Sequence, residues 1–220
     1  MHITYETVKQ SVEIRTYITQ ADASLLALGY TEHSFAHVTR CAVVAGDLLQ
    51  ELGYDAHTVE LCRIAAFMHD IGNVVNRNDH AQTGAVMAFR ILDNMGMEPS
   101  DVAAVITAIG HHDDSTAFPV NAIAAALLLA DKTDVRRSRV RNRDTIRFDI
   151  HDRVNYAVER SDVVLDTAGR TITLDLTIDT SICAVMDYFE IFLDRMLLCR
   201  KAAEYFGLDF KLTINGTAVL

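Results

Sequence analysis

The feature that most constrains this chain is a set of histidines and aspartates placed on, or at the ends of, successive apolar segments: His37, the pair His69-Asp70, His80, the pair His111-His112, and Asp131. Each segment has the apolar spacing of a helix with a buried stripe. A buried stripe seldom carries imidazole or carboxylate unless a partner replaces the lost water, because an unpaired buried charge is costly. The expected partner is a pair of metal ions.

The segments follow one another through the first two-thirds of the 220 residues. Two short helices are expected over 4–19 and 21–29. Longer ones are expected over roughly 33–52, 57–70 and 80–95, each closed by a glycine (Gly53, Gly72, Gly96). Pro99 and Pro119 each sit where a helix is expected to begin, a position with no intrahelical donor to lose. After about residue 150 the pattern changes. Val163 to Leu165 and the alternation Ile172, Leu174, Leu176, Ile178 read as a hairpin, followed by a helix over 180–206 and a strand from Phe210 to Ile214. The fold class is therefore mainly α, a helical body over 1–150 with a small α+β appendage over 151–220.

Each polar residue has a plainer explanation. His37 aligns with Cys41, Val44 and Leu48, as a hydrogen-bonded core histidine would. Asp131 ends the wholly apolar run AIAAALLLAD and could simply pair with Lys132. Together the seven residues outweigh these alternatives. Adjacent helical residues point about 100° apart, so His69 and Asp70 can share an ion only near a helix terminus. Imidazole and carboxylate without thiolate suit Fe, Mn, Co, Zn or Ni. Seven candidates are too many for one ion with an open position. If Asp70 bridges through both oxygens, two divalent ions about 3.5–4 Å apart can be held, with an activated hydroxide between them.

The segments HVTRCAVVAGDLLQELGY, AAFMHDIGN, HAQTGAVMAFRIL, AIGHHDD and LLLADKTD together resemble the motifs of the HD-domain superfamily of metal-dependent phosphohydrolases, over roughly residues 30–140. The resemblance makes His37, and not His33, the first histidine. It implies an HD-type helical bundle. The implied first site is His37, His69, Asp70 and Asp131, and the second is Asp70, His80, His111 and, as a ligand or behind the ligands, His112. Asp70 and Lys132 are assigned to catalysis. Two departures separate the chain from the HD-GYP phosphodiesterases: HHDDSTAFPVNA lacks a Gly-Tyr-Pro loop, and Asn73 stands where they usually carry lysine.

Downstream of Asp131 lies the one concentrated basic stretch, with Lys132, Arg136, Arg137, Arg139, Arg141, Arg143 and Arg147. Arg137 and Arg139 are the expected phosphate clamp. Asp113, Asp114 and Asp134 lie near the ligands, but acids at helix ends are commonplace. The expected activity is hydrolysis of a small phosphorylated substrate, a nucleotide or related molecule. A di-iron oxygenase with the same ligands is the alternative. The net charge of −10 argues against a nucleic-acid substrate. The scattered cysteines Cys41, Cys62, Cys183 and Cys199 read as reduced core residues, and no apolar run is long enough to span a bilayer. A cytoplasmic homodimer is expected.

Overall fold

The computed structural model describes residues 3–141 and 149–220. The chain begins with α1 (Tyr5–Gln10) and α2 (Val12–Ala27). These break at Ser11 and not near residue 20. The Ser11 N–H closes α1 by donating to Val8, while its hydroxyl caps α2 by accepting from the Ile14 N–H. A polar side chain that can serve both ends outweighs an apolar pattern that runs on through Val8, Ile14 and Ile18.

The body continues with α3 (Phe35–Glu51), α4 (Ala56–Met68), a 3₁₀ turn (Ile71–Val74), α5 (His80–Asn94), α6 (Pro99–Gly110) and α7 (Ala122–Lys132). Their starts follow local chemistry: Ser34, Asp55 and Asn121 each accept a backbone N–H from the first turn. Pro99 opens α6 as expected, whereas Pro119 lies outside α7, whose cap is Asn121. Gly53 and Gly96 stop their helices in the left-handed region.

Gly72 does something different. A Cβ there would lie 2.0 Å from the His80 carbonyl oxygen and 2.5 Å from the Gly84 nitrogen. Its lack of a side chain lets the turn after α4 sit directly on the first turn of α5, which brings His80 toward Asp70.

The second part holds a helix that the sequence pattern did not announce, α8 (Ile150–Ala157), which runs straight into β1 (Val158–Asp166). β1 pairs antiparallel with β2 (Thr171–Ile178), as the alternation predicted, but starts five residues before Val163. Its first half, Val158 to Asp162, is largely polar and gives no alternation to read. α9 (Val185–Tyr205) then crosses over, so β3 (Asp209–Ile214) lies parallel to β2, and β4 (Thr217–Ala218) completes the sheet. α9 packs on α7 on one side and β3 on the other. One buried apolar cluster joins Leu127 of the body to Phe192 of α9 and Leu174 of the sheet. Among the described residues, no helix is long and apolar enough to cross a membrane.

Replacing Gly72 with alanine should cost at least about 2 kcal/mol through overpacking. Thermal denaturation should show this as a fall in Tm of about 4–8 °C.

Candidate metal centre

The candidate ligands come together because helix ends converge. His37 lies in the first turn of α3, His69 caps the C-terminus of α4, and Asp70 follows it at φ −94°, ψ 1°. His80 is the first residue of α5, His112 follows the end of α6, and Asp131 lies in the last turn of α7. His37, His69, His80 and His112 are buried.

The Asp70 carboxylate divides its oxygens between two histidine pairs. Oδ2 lies 3.2 Å from His69 Nε2 and 3.7 Å from His37 Nε2. Oδ1 lies 3.5 Å from His80 Nε2 and 3.8 Å from His112 Nε2. Asp131 Oδ1 closes the first group, 3.3 Å from His37 Nε2 and 3.9 Å from His69 Nε2. Its Oδ2 accepts from Lys132 Nζ at 2.7 Å, so the salt bridge that competed with the ligand reading exists beside it.

All four rings are oriented from behind. His69 Nδ1 donates to the Ala66 carbonyl at 2.7 Å, His80 Nδ1 to Arg77 at 2.9 Å and His112 Nδ1 to Ile109 at 2.6 Å. His37 Nδ1 meets Asp134 Oδ2 at 2.7 Å. A carbonyl only accepts, so Nδ1 carries the proton and Nε2 presents its lone pair to the interior. This is how metal-ligating imidazoles are commonly held.

The donor set fits a bound cation. His69 Nε2 and Asp70 Oδ2 are buried and have no hydrogen-bond partner. His80 Nε2 and His112 Nε2 stand 3.1 Å apart, an arrangement of facing acceptors that a proton or a metal ion must relieve. Protonation is the less favourable relief at His80: burial pushes its pKa down to about 4, despite the pull of Asp70. Two overlapping groups, His37-Cys41-His69-Asp131 and His69-Asp70-His112, have donor atoms close enough to share an ion.

Comparison with known proteins agrees with this geometry. The family model for the HD domain matches residues 34–153. The chain belongs to the HD-domain superfamily of metal-dependent phosphohydrolases. It is also similar to ribonuclease Y from Cutibacterium acnes, 34% identical over 128 residues, which cover 53% of this chain and 22% of that protein. The chain thus spans less than a quarter of that relative's length.

Within this HD domain, burial alone would raise the carboxyl pKa values of Asp70 and Asp131. The surrounding histidines, and Lys132 for Asp131, outweigh it and hold both well below the usual carboxylate range. Burial likewise opposes charge on Lys132, but Asp131 and Asp114, 2.6 Å away, raise its pKa and keep it cationic. Cys41 lies 3.7 Å from His37 Nδ1, and burial pushes its thiol pKa well up, so it is a neutral neighbour in the metal-free site.

Several assignments need correction. His111 does not join the cluster. It caps α6 with its Nδ1 on the Thr107 carbonyl at 2.9 Å, and the histidine nitrogens within 4 Å of the Asp70 and Asp131 carboxylates belong to His37, His69, His80 and His112. Arg137 is not beside the ligands: it donates to the Tyr156 carbonyl at 2.6 Å and pairs with Glu159 at 3.4 Å. Arg139 lines the cavity, yet it is buried, and it donates to the carbonyls of Glu32 (2.9 Å) and Asp134 (2.7 Å). Arg143 and Arg147 lie outside the described residues. Asn73, at the position of the family lysine, donates to Asp70 Oδ1 at 2.8 Å and fixes the carboxylate.

Sequence reasoning undervalued Asp134. It faces His37 and three arginines, with Arg40 at 3.1 Å, Arg136 at 2.8 Å and Arg139 at 3.7 Å. Its signal was the spacing DKTD, which puts a second carboxylate one turn beyond Asp131.

Asp70→Ala should remove all bound metal. Asp134→Asn should keep the fold but weaken metal affinity about 10–100-fold, measured by metal titration with circular dichroism as the control. For the apo-protein, Asp113 and Asp114 also have lowered folded pKa values, because Ser115 and His80 on one, and Lys132 and Arg195 on the other, outweigh burial. Unfolding raises these values, so the unfolded chain binds more protons. Their stabilisation should be present above the ordinary aspartate value of 3.8 and lost as pH falls toward the folded values. Urea denaturation at a series of pH values measures it.

Proposed function

We propose that this centre holds two divalent metal ions and hydrolyses a phosphoester of a small molecule, a nucleotide or a relative of one. The observation that carries the reading is the division of Asp70, with Oδ2 toward His37 and His69 and Oδ1 toward His80 and His112. One ion would be held by His37, His69, Asp131 and Asp70, and the other by His80, His112 and Asp70. The imidazole and carboxylate donors suit Fe, Mn, Co, Zn or Ni. Bound there, the ions supply Lewis acidity, lowering the pKa of a ligated water and drawing charge from a phosphoryl group.

The protein's own residues prepare the site. Asn73 and the histidines fix Asp70, so little reorganisation is needed when charge develops. Lys132, anchored by Asp131 and Asp114, keeps a fixed positive charge on the cavity wall. The cavity has a volume of about 300 Å³, at the lower end for small-molecule sites. Asp149 and Asn155 of the α8 segment and Phe192 and Arg195 of α9 line it together with the ligands. This wall favours a compact substrate over a strand crossing the surface.

Ribonuclease Y is named for RNA cleavage, and the likeness to it gives an RNA phosphodiester a place as the second reading. The net charge of −10 weighs against it. Metal-loaded protein should therefore release product from nucleoside mono-, di- or cyclic phosphates and leave single-stranded RNA intact. Turnover of RNA alone would move the reading to a nuclease. Oxygen uptake coupled to product, with no ester hydrolysed, would replace hydrolysis with oxygenase chemistry.

A further inference from the structure

The lysine and arginine side chains lining the cavity are not equally committed. Lys132 is held between Asp131 at 2.7 Å and Asp114 at 2.6 Å. Arg195 donates to Asp114 at 3.2 Å, and Arg139 lies 3.7 Å from Asp134. Among the described residues Arg77 alone of this set has no ion pair.

Its guanidinium rests on neutral acceptors instead. Nη1 lies 3.3 Å from Asn73 Oδ1 and 3.4 Å from His80 Nε2, and the group stands 5.6 Å from the centre of the Tyr30 ring. His80 Nε2 is the nitrogen that faces Asp70 and His112, the atom proposed above as a metal donor. An ion that takes this lone pair leaves Arg77 without that acceptor and beside another positive charge. Arginine cannot relieve the repulsion by losing its proton. An anion held against both does relieve it, and the fork of the guanidinium matches two phosphoryl oxygens.

We infer that Arg77 is the phosphoryl-binding residue of this site, the role that the sequence pattern gave to Arg137 and Arg139. The inference rests on the hydrolase reading. Residue 77 then has two separable duties. Its main-chain carbonyl accepts from His80 Nδ1 at 2.9 Å and orients a ligand, which any residue at this position can do. Its side chain meets the substrate. Removing the side chain should therefore spare the metal and weaken the anion.

The test titrates inorganic phosphate calorimetrically into metal-loaded wild type, Arg77→Met and Arg77→Lys, with metal per chain measured on the same samples. Arg77→Met should keep the wild-type metal content and bind phosphate about 10–100-fold more weakly. Arg77→Lys, a point charge without the fork, should fall between the two. Unchanged phosphate affinity in Arg77→Met at full metal content overturns the inference, and so does loss of metal in that variant. If wild type hydrolyses phosphoesters and Arg77→Met matches it in both affinity and turnover, Arg77 is excluded while the hydrolase reading stands. If wild type neither binds phosphate nor hydrolyses any ester, both fail together.

Discussion

The Asp70 carboxylate is buried among four histidine rings, with one oxygen turned toward each pair. A charge in that position needs compensation from every side, and the surrounding structure supplies it. Asn73 donates to it, the turn through Gly72 holds it against the start of α5, and the four rings point their Nε2 atoms inward. Asp70 Oδ2 and His69 Nε2 have no hydrogen-bond partner, and a cation bound between them would complete the compensation. The helix packing of the body can be read as the means of bringing these atoms within 4 Å of one another.

Helix termini do most of this positioning. A carbonyl near a helix end has lost its intrahelical donor and can accept from a side chain. Ala66, Arg77 and Ile109 accept from the Nδ1 atoms of His69, His80 and His112, so the backbone carbonyls of a helix end or loop fix both ring orientation and tautomer. His37, inside the first turn of α3, has no such carbonyl and takes the carboxylate of Asp134 instead. Asp134 in turn needs Arg40, Arg136 and Arg139 around it. Two arginines of the basic stretch after Asp131, Arg136 and Arg139, thus support one histidine.

The α+β part is tied to the same centre. Asp114 binds both Lys132, beside the ligand Asp131, and Arg195 of α9. α9 also brings Phe192 and Arg195 to the cavity, so an element without a recognisable motif forms part of the wall that a substrate meets. Its sequence shows only an amphipathic helix, because lining a cavity leaves no periodicity of its own.

Much of this was legible in the sequence. Apolar spacing located α3 to α7, the glycines after α3 and α5 located their ends, and the motif residues named six of the side chains that meet. Alternation located the hairpin. What the sequence misjudged depended on direction and distance. His111 and His112 are equivalent as letters, and only the geometry at the end of α6 turns one inward. Arg137 and Arg139 look like a phosphate clamp in the sequence, but their N–H groups donate to the carbonyls of Tyr156, Glu32 and Asp134. Arg77, isolated in a polar turn, carried no signal until the fold set its guanidinium beside His80 Nε2. The sequence by itself determined which residues could bind metal and which helices would carry them, because burial stripes and ligand chemistry are local properties of the chain. Only the tertiary structure decided which of them face one another and which cavity arginine, among the described residues, is left without an acid, because those outcomes depend on how separate elements pack together.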